Sequence, residues 1–253
     1  MTVTFLGTGT SQGVPVIACH CAVCTSQDAR DNRLRSSIMI SEGDINIVID
    51  SGPDFRQQML RHRVDRLHAV LFTHEHKDHI AGLDDIRAYN YFMQEKMEIY
   101  CTARVEEALR REFAYIFADF KYPGIPEVEI KPITAEPFSI RNIPFQPIEV
   151  LHLKMPVFGY RVGDFTYITD ANYISEEEKE KIKGSKILVL NALRREKHPS
   201  HFTLDEALEL IEELKPETAY LTHISHQLGL HSEVELTLPE NVFVAFDGLK
   251  LEV

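Results

Sequence analysis

The sequence predicts an α/β fold, and three observations carry that expectation. Short apolar runs of strand length alternate with stretches that repeat apolar residues at helical spacing. Several of those runs end on an aspartate or a histidine, which puts polar chemistry at strand carboxyl ends, where α/β proteins usually keep it. Finally, 253 residues with 44% apolar and 26% charged content suffice for a substantial core, in one large α/β domain or two small ones.

Taken in order, Val3 to Leu6 reads as a first strand. The glycines of Gly7-Thr8-Gly9-Thr10-Ser11 suit a tight hairpin turn or a close approach to a ligand, and the spacing matches neither a dinucleotide fingerprint nor a P-loop. Cys19-His20-Cys21-Ala22-Val23-Cys24 presents a C-x-C-x2-C cluster, which suits zinc better than a disulfide framework. Three thiolates leave a tetrahedral zinc one ligand short; His20 or a distant histidine could complete it. Arg33 and Arg35 read as surface arginines, and Cys101 as a small buried hydrophobe. Ser37 to Ile40 and Ile45 to Ile49 form a hairpin around Glu42-Gly43-Asp44, and Pro53 opens a helix running to about His62. Asp50, just beyond a strand end, could orient a metal-binding histidine or cap that helix.

The densest chemistry follows. Leu67 to Phe72 reads as a buried strand and residues 80–96 as one helix, with Thr73-His74-Glu75-His76-Lys77-Asp78-His79 between them. A lone histidine is usually structural, whereas H-x-H-x-D-H is rare by chance and points to metal. His74 and His76 can face the same way from extended chain, while Asp78 and His79 diverge as the helix begins, so one pair could serve one metal and the other a second.

Beyond it come a strand at Met97 to Cys101, a helix from Arg104 to Phe117, and the loop 120–126, a lid or a plain connection. The longest later strand ends at His152. Phe165 to Thr169 ends at Asp170, and Ile187 to Leu190 precedes a loop holding His198 and His201 before a helix from Leu204 to Leu214. Thr218 to Thr222 ends at His223, with His226 three residues on. Glu176-Glu177-Glu178 reads as a solvated helix start.

A net charge of -12, from 27 basic and 39 acidic residues, argues against a nucleic-acid polyanion as partner. No apolar run approaches membrane-spanning length and Met1 to Leu6 does not read as a leader, so a cytoplasmic location is expected.

The ordered series Asp50, H-x-H-x-D-H, His152, Asp170 and His223 resembles the metallo-β-lactamase superfamily. That resemblance implies an αββα sandwich, two mixed sheets flanked by helices, built by residues 1–253 as one hydrolase domain. It also implies that His74, His76 and His152 hold one metal, that Asp78, His79 and His223 hold a second, and that Asp170 bridges them, with Asp50 behind. Histidine at position 76 departs from the acid of diiron flavoprotein relatives. LGTGTSQGVPVIACHCAVC, RLRSS and GLDDIR are similar to the PhnP-like branch, which carries an additional structural zinc; here it would fall on Cys19, Cys21, Cys24 and His226. His201 is similar to the histidine that phosphodiesterases of this superfamily set beside the scissile phosphate.

The function implied is a metal-dependent phosphodiesterase acting on a small diester, cyclic and phosphoribosyl- or nucleotide-like. A hydroxide held between two zinc or manganese ions would attack, with Asp78 and His201 as catalytic residues. Two alternatives stand beside it: an endoribonuclease of the tRNA 3′-processing type, and a non-catalytic PqqB-like metal-binding protein. The expected partner is a small phosphodiester rather than nucleic acid or membrane, with a homodimer left open.

Overall fold

The computed structural model describes residues 1–120 and 122–253. The first half of the chain supplies β1 (Thr2–Gly7), β2 (Ser37–Glu42), β3 (Ile45–Ile49), β4 (Ala69–Leu71), β5 (Met97–Cys101) and β6 (Val128–Pro132). Among them lie α1 (Phe55–His62), α2 (Lys77–Ile80), α3 (Arg87–Met93) and α4 (Ala103–Glu112). The second half supplies β7 (Phe138–Ile140), β8 (Ile143–His152), β9 (Met155–Val162), β10 (Phe165–Ile168), β11 (Tyr173–Ile174), β12 (Ile187–Asn191), β13 (Thr218–Thr222), β14 (Val242–Val244) and β15 (Lys250–Glu252). Its helices are α5 (Glu176–Ile182), α6 (Leu204–Leu214) and α7 (His231–Glu235).

Two mixed sheets result. One runs β15-β1-β2-β3-β4-β5-β6, the other β11-β8-β9-β10-β12-β13-β14 with β7 paired to β8. They pack face to face through Phe5, Ile38, Ile47 and Leu71 from the first and Phe145, Tyr160, Phe165 and Val189 from the second. Phe55, Met59, Val105 and Leu109 from α1 and α4 cover the outer face of the first sheet. Ile182, Leu204, Leu210 and Leu214 from α5 and α6 cover the second. The layers are therefore α, β, β, α. Because both faces of each sheet are covered, the buried stretches Ile47-Val48-Ile49 of β3 and Leu188-Val189-Leu190 of β12 are unbroken apolar runs: Ile47 and Ile49 face the other sheet while Val48 faces α1.

Strand direction places the chemistry. β3, β4, β5 and β6 are parallel, as are β10, β12, β13 and β14, so each set delivers its carboxyl ends to one edge. At the opposite edge the chain ends meet, with Met1 N donating to Val253 O at 3.2 Å and Val253 N to Met1 O at 2.9 Å. No helix among the described residues is long and apolar enough to cross a membrane.

Several local expectations change. Gly7 to Ser11 is not a hairpin turn: Gly9 bridges in parallel to both Arg35 and Ile224, so the segment continues as extended chain between them. Its glycines serve close backbone approach, since a Cβ on Gly7 would lie 2.0 Å from Arg35 O. The helix expected over 80–96 is three pieces: α2 already begins at Lys77, a 3-10 turn covers Leu83–Ile86, and α3 follows. The helix expected from Arg104 to Phe117 stops at Glu112, and the one expected at Pro53 starts at Phe55. In the 120–126 loop, residue 121 lies outside the described residues, while Phe120 and Tyr122 are exposed.

The break after α2 has a packing cause. A Cβ on Gly82 would sit 2.1 Å from Gly52 O, and one on Gly52 would sit 2.0 Å from Asp78 O. The metal-motif turn is thus seated backbone to backbone on the turn after β3, and Gly82 N donates to Ser51 O at 2.8 Å. Gly52→Ala should lower the free energy of unfolding by about 2 kcal/mol or more, as backbone clashes in packed turns do. Denaturant titration checks this, and an unchanged midpoint would show that the crossing relaxes freely.

Candidate metal centre

Each candidate ligand sits where a strand stops. Asp50 follows β3, His74 to His79 follow β4, His152 ends β8, Asp170 follows β10, His201 lies in the connection after β12, and His223 follows β13. Three of them turn the chain sharply with left-handed backbones: Asp50 at φ 67°, Asp170 at φ 54° and His223 at φ 56°. Aspartate and histidine tolerate that region better than most residues, but each still costs about 1–3 kcal/mol, which the surrounding packing must offset. The turn throws each side chain across the sheet edge instead of along the strand.

Two donor clusters result. His74, His76 and His152 form one, with His74 Nε2 3.0 Å from His76 Nδ1. Asp78, His79, Asp170 and His223 form the other, and Asp170 also groups with His152 and His201, so its carboxylate lies between the two. Asp78 and His79 do not diverge as expected: Oδ2 of one lies 3.1 Å from Nε2 of the other. Starting α2 at Lys77 places both in its first turn, where they converge.

The outer nitrogens of these histidines are held by oxygen. An ionised carboxylate can only accept, so Thr73 Oγ1 donates to Asp50 Oδ2 at 2.8 Å and accepts from His74 Nδ1 at 2.9 Å. His79 Nδ1 donates to the same Asp50 oxygen at 2.7 Å, and His152 Nδ1 donates to the Ser200 carbonyl at 2.8 Å. Each bond leaves Nε2 to face the clusters, the way a hydrogen bond on the far nitrogen fixes a metal-binding imidazole. Asp50 therefore orients two histidines. It does not cap α1, whose N-cap is Asp54.

Charge explains why a cation belongs here. Asp50 and Asp170 are at most 2% exposed and Asp78 is 8% exposed, so three carboxylates are held out of water. Burial works against a charged His79, but Asp78, Asp170 and Asp50 together outweigh it and hold its pKa well above the ordinary value. Burial also resists charge on Asp170, yet His223 and His79 hold its carboxyl well below the usual range. At His74 and His223 burial outweighs the attraction of Asp170 and Asp78, pushing His74 well down and His223 to about 4. His79 Nε2 is the telling atom. It lies 3.1 Å from Asp78 and 3.2 Å from Asp170 without hydrogen-bond geometry to either, an orphaned buried nitrogen that converges with two oxygens on a common point. That donor set fits a divalent ion.

The thiols form a separate cluster. Cys19, Cys21 and Cys24 place Sγ at 3.3, 3.3 and 3.4 Å from His226 Nδ1. One imidazole nitrogen carries a single proton or lone pair and cannot serve three sulfurs. A tetrahedral zinc with ordinary bond lengths requires S···N edges of about 3.5 Å, close to those found. His20 is exposed and stands outside this cluster. The backbone amides of Val16 and Cys24 point at Cys24 and Cys21 sulfurs. The amide of Cys24, then His226, lowers the Cys21 pKa to about 6.

Arg33 is not the surface group expected. It is buried, donating from Nη1 to Thr8 Oγ1 at 2.8 Å and to Ala245 O at 2.5 Å, and burial pulls its pKa down to about 10. Arg35 pairs with Asp54 at 3.0 Å. Cys101 is buried as expected. Sequence reasoning missed Thr73 and Ser200. Thr73 adjoins the motif and could have been flagged, whereas Ser200 acts through its carbonyl, which no residue type announces.

Residues 45–224 match the Beta-lactamase superfamily domain. A solved diphosphatase of the PhnP family is 40% identical, covers 100% of this chain and 97% of its own, and superposes with a TM-score of 0.93. The chain belongs to the metallo-β-lactamase superfamily, in its PhnP-like branch. The described residues form a metal-dependent hydrolase of that family. Zn(2+)-bound PqqB from Methylobacterium extorquens shares the fold at 20% identity and a TM-score of 0.80, each chain covered in full at 100%. An octanoyltransferase of Porphyromonas gingivalis is 38% identical over 97% of this chain, which spans 50% of that relative's length.

Replacing Asp50 tests the scaffold directly. Asp50→Asn should weaken binding of a divalent ion by about 10–100-fold, the usual loss when an outer partner of a ligand is removed. Competition with a chelating dye measures it, and undiminished affinity would show that His74 and His79 hold their orientation without the carboxylate.

Proposed function

We infer that residues 1–253 act as one metal-dependent phosphodiesterase domain for small diesters, cyclic and phosphoribosyl- or nucleotide-like. The observation that carries this reading is His201. Its Nε2 lies 3.0 Å from Asp170 Oδ1, beside both donor clusters, and it is almost wholly buried. A protonatable side chain held there suits a reaction that expels a basic oxygen.

His74, His76 and His152 would hold one metal, Asp78, His79 and His223 the other, and Asp170 both; Cys19, Cys21, Cys24 and His226 would hold a structural zinc. His and carboxylate donors suit zinc or manganese in the active centre, while thiolates select zinc at their own. Bound divalent ions supply Lewis acidity at the phosphoryl oxygens and a water acidified towards neutrality. Asp78, held beside His79, would also orient that water. His201 donates from Nε2 to the phosphoryl or departing oxygen. His76, the exposed member of its cluster, marks the open side from which a small substrate enters.

A second reading follows from the solved PhnP-family diphosphatase: the scissile bond could be a phosphoanhydride. Phosphate is a good leaving group and needs little help from an acid, so the buried His201 favours the diester. The octanoyl transfer named for the Porphyromonas gingivalis protein belongs to a chain of which this one spans 50%. Burial pushes the Cys101 thiol up to about 12, and the other thiols converge on His226, so none is poised as an acyl nucleophile.

With metal content unchanged, His201→Ala should lower turnover of a cyclic phosphodiester by about a hundredfold or more, the scale of acid-base loss. A parallel screen with diphosphates separates the two readings, since the anhydride should be much less sensitive. Unchanged diester turnover removes His201 from the reaction. His226→Ala should release a single zinc per chain and lower stability by about 2.7 kcal/mol or more at a hundredfold excess of ion over Kd. Elemental analysis with thermal unfolding checks this, and full zinc retention would exclude His226 as a ligand.

A further inference from the structure

His198 lies in the loop between β12 and α6, half-buried, and belongs to neither donor cluster. The ring of His201 is enclosed by three other imidazoles. His152 meets it edge-on with centroids 4.7 Å apart, His223 stacks on it at 4.9 Å, and His198 leans against it at 5.0 Å. Its Nε2 faces Asp170 Oδ1, while its Nδ1 faces Ser200 Oγ at 3.1 Å and His198 Nδ1 at 3.2 Å.

These contacts decide which edge of His201 points inward. Rotating an imidazole by half a turn exchanges Nδ1 with Cδ2 and Nε2 with Cε1. For His201 that would turn a carbon towards Asp170 and another towards the two polar atoms behind it. Ser200 Oγ is a free rotor and adapts to either edge. His198 is less free: its Nδ1 lone pair is nearest His201 Nδ1 at 3.2 Å and is only shared with the longer approach of Ser200 N at 3.4 Å, while the Ser200 hydroxyl can turn its proton elsewhere. The loop is fixed in turn by Arg194, which donates to Glu196 O at 3.1 Å, Lys197 O at 3.0 Å and Gln227 Oε1 at 2.9 Å. Of the three imidazoles around His201, His198 alone is not a proposed metal ligand.

We propose that His198 is a positioning residue: acting through His201, it keeps Nε2 turned towards Asp170 and the departing oxygen. This rests on the reading of His201 as the group that donates to the leaving oxygen. Its effect must therefore grow with the basicity of that oxygen.

The test uses the zinc-loaded full chain and two diesters. A cyclic alkyl phosphodiester expels an alkoxide, whereas bis(p-nitrophenyl) phosphate expels a stable phenolate. His198→Ala should lower kcat on the cyclic diester by about tenfold, short of the hundredfold expected when the acid itself is lost. KM and metal content should hold, and the aryl diester should be nearly indifferent. His198→Asn keeps an acceptor in the place of Nδ1 and should restore most of the rate. Equal losses on both diesters, or a loss tracking metal content, would overturn the proposal. A second measurement needs no turnover: imidazole 1H–15N correlations of His201 should shift or broaden in His198→Ala and recover in His198→Asn. Should neither diester be cleaved by the unsubstituted protein, the phosphodiesterase reading fails alone. Unperturbed His201 resonances in His198→Ala would sink the positioning role whatever the substrate.

Discussion

Negative charge kept out of water is the constraint on which the rest of this molecule depends. Asp50, Asp78 and Asp170 are buried at one sheet edge among imidazoles, where an uncompensated carboxylate would be costly. Everything nearby answers that demand. His79 donates from Nδ1 to Asp50 and lies beside Asp78 and Asp170 with Nε2, Thr73 relays Asp50 to His74, and a carbonyl after β12 fixes His152. A proton on His79 can meet part of the charge, but a single proton cannot use the remaining lone pairs that converge there. Multivalent cations can.

The scaffold supplies rigidity at the positions where this arrangement is most demanding. Left-handed turns at Asp50, Asp170 and His223 aim the side chains, and the Gly52–Gly82 crossing seats α2 against the turn after β3. Parallel strands in each sheet make these turns neighbours, so residues as far apart in sequence as Asp50 and His223 share one cleft. The thiol cluster anchors the far side. His226 lies three residues beyond His223, and Ile224 between them hydrogen-bonds to the strand-like segment after β1, with its N donating to Thr8 O at 2.9 Å.

Much of this was legible from sequence because strand ends are. An apolar run closing on Asp or His marks both an element and a chemical group; that reading located the series from Asp50 to His223, and the resemblance allotted its members to metals. Period-based reasoning failed where tertiary contact overrode local pattern. The stretch 80–96 carries helical spacing, yet Gly82 must give up its turn to pass Gly52. Gly7 and Gly9 read as turn formers when their real service is to let the Arg33 to Arg35 backbone come close. Arg33 looked like surface because its buried acceptors, Thr8 and Ala245, are remote in sequence. The convergence of Asp78 and His79 depended on a helix start three residues earlier than its apolar pattern suggests. His198 carried no signal of its own, since its meaning lies in which face of a neighbouring ring it touches.

The meeting of Met1 and Val253 at the edge opposite the metals has a topological consequence. Since β1 and β15 run antiparallel side by side, the chain is nearly a closed ring. A short linker could join its ends and a new opening could be cut in a surface loop, giving a circular permutant with the same two sheets. By the same geometry a second folded unit can be tethered at either end without approaching the cleft. Extension of the polypeptide and chemistry at its metal edge are thus spatially independent, free to vary without disturbing each other.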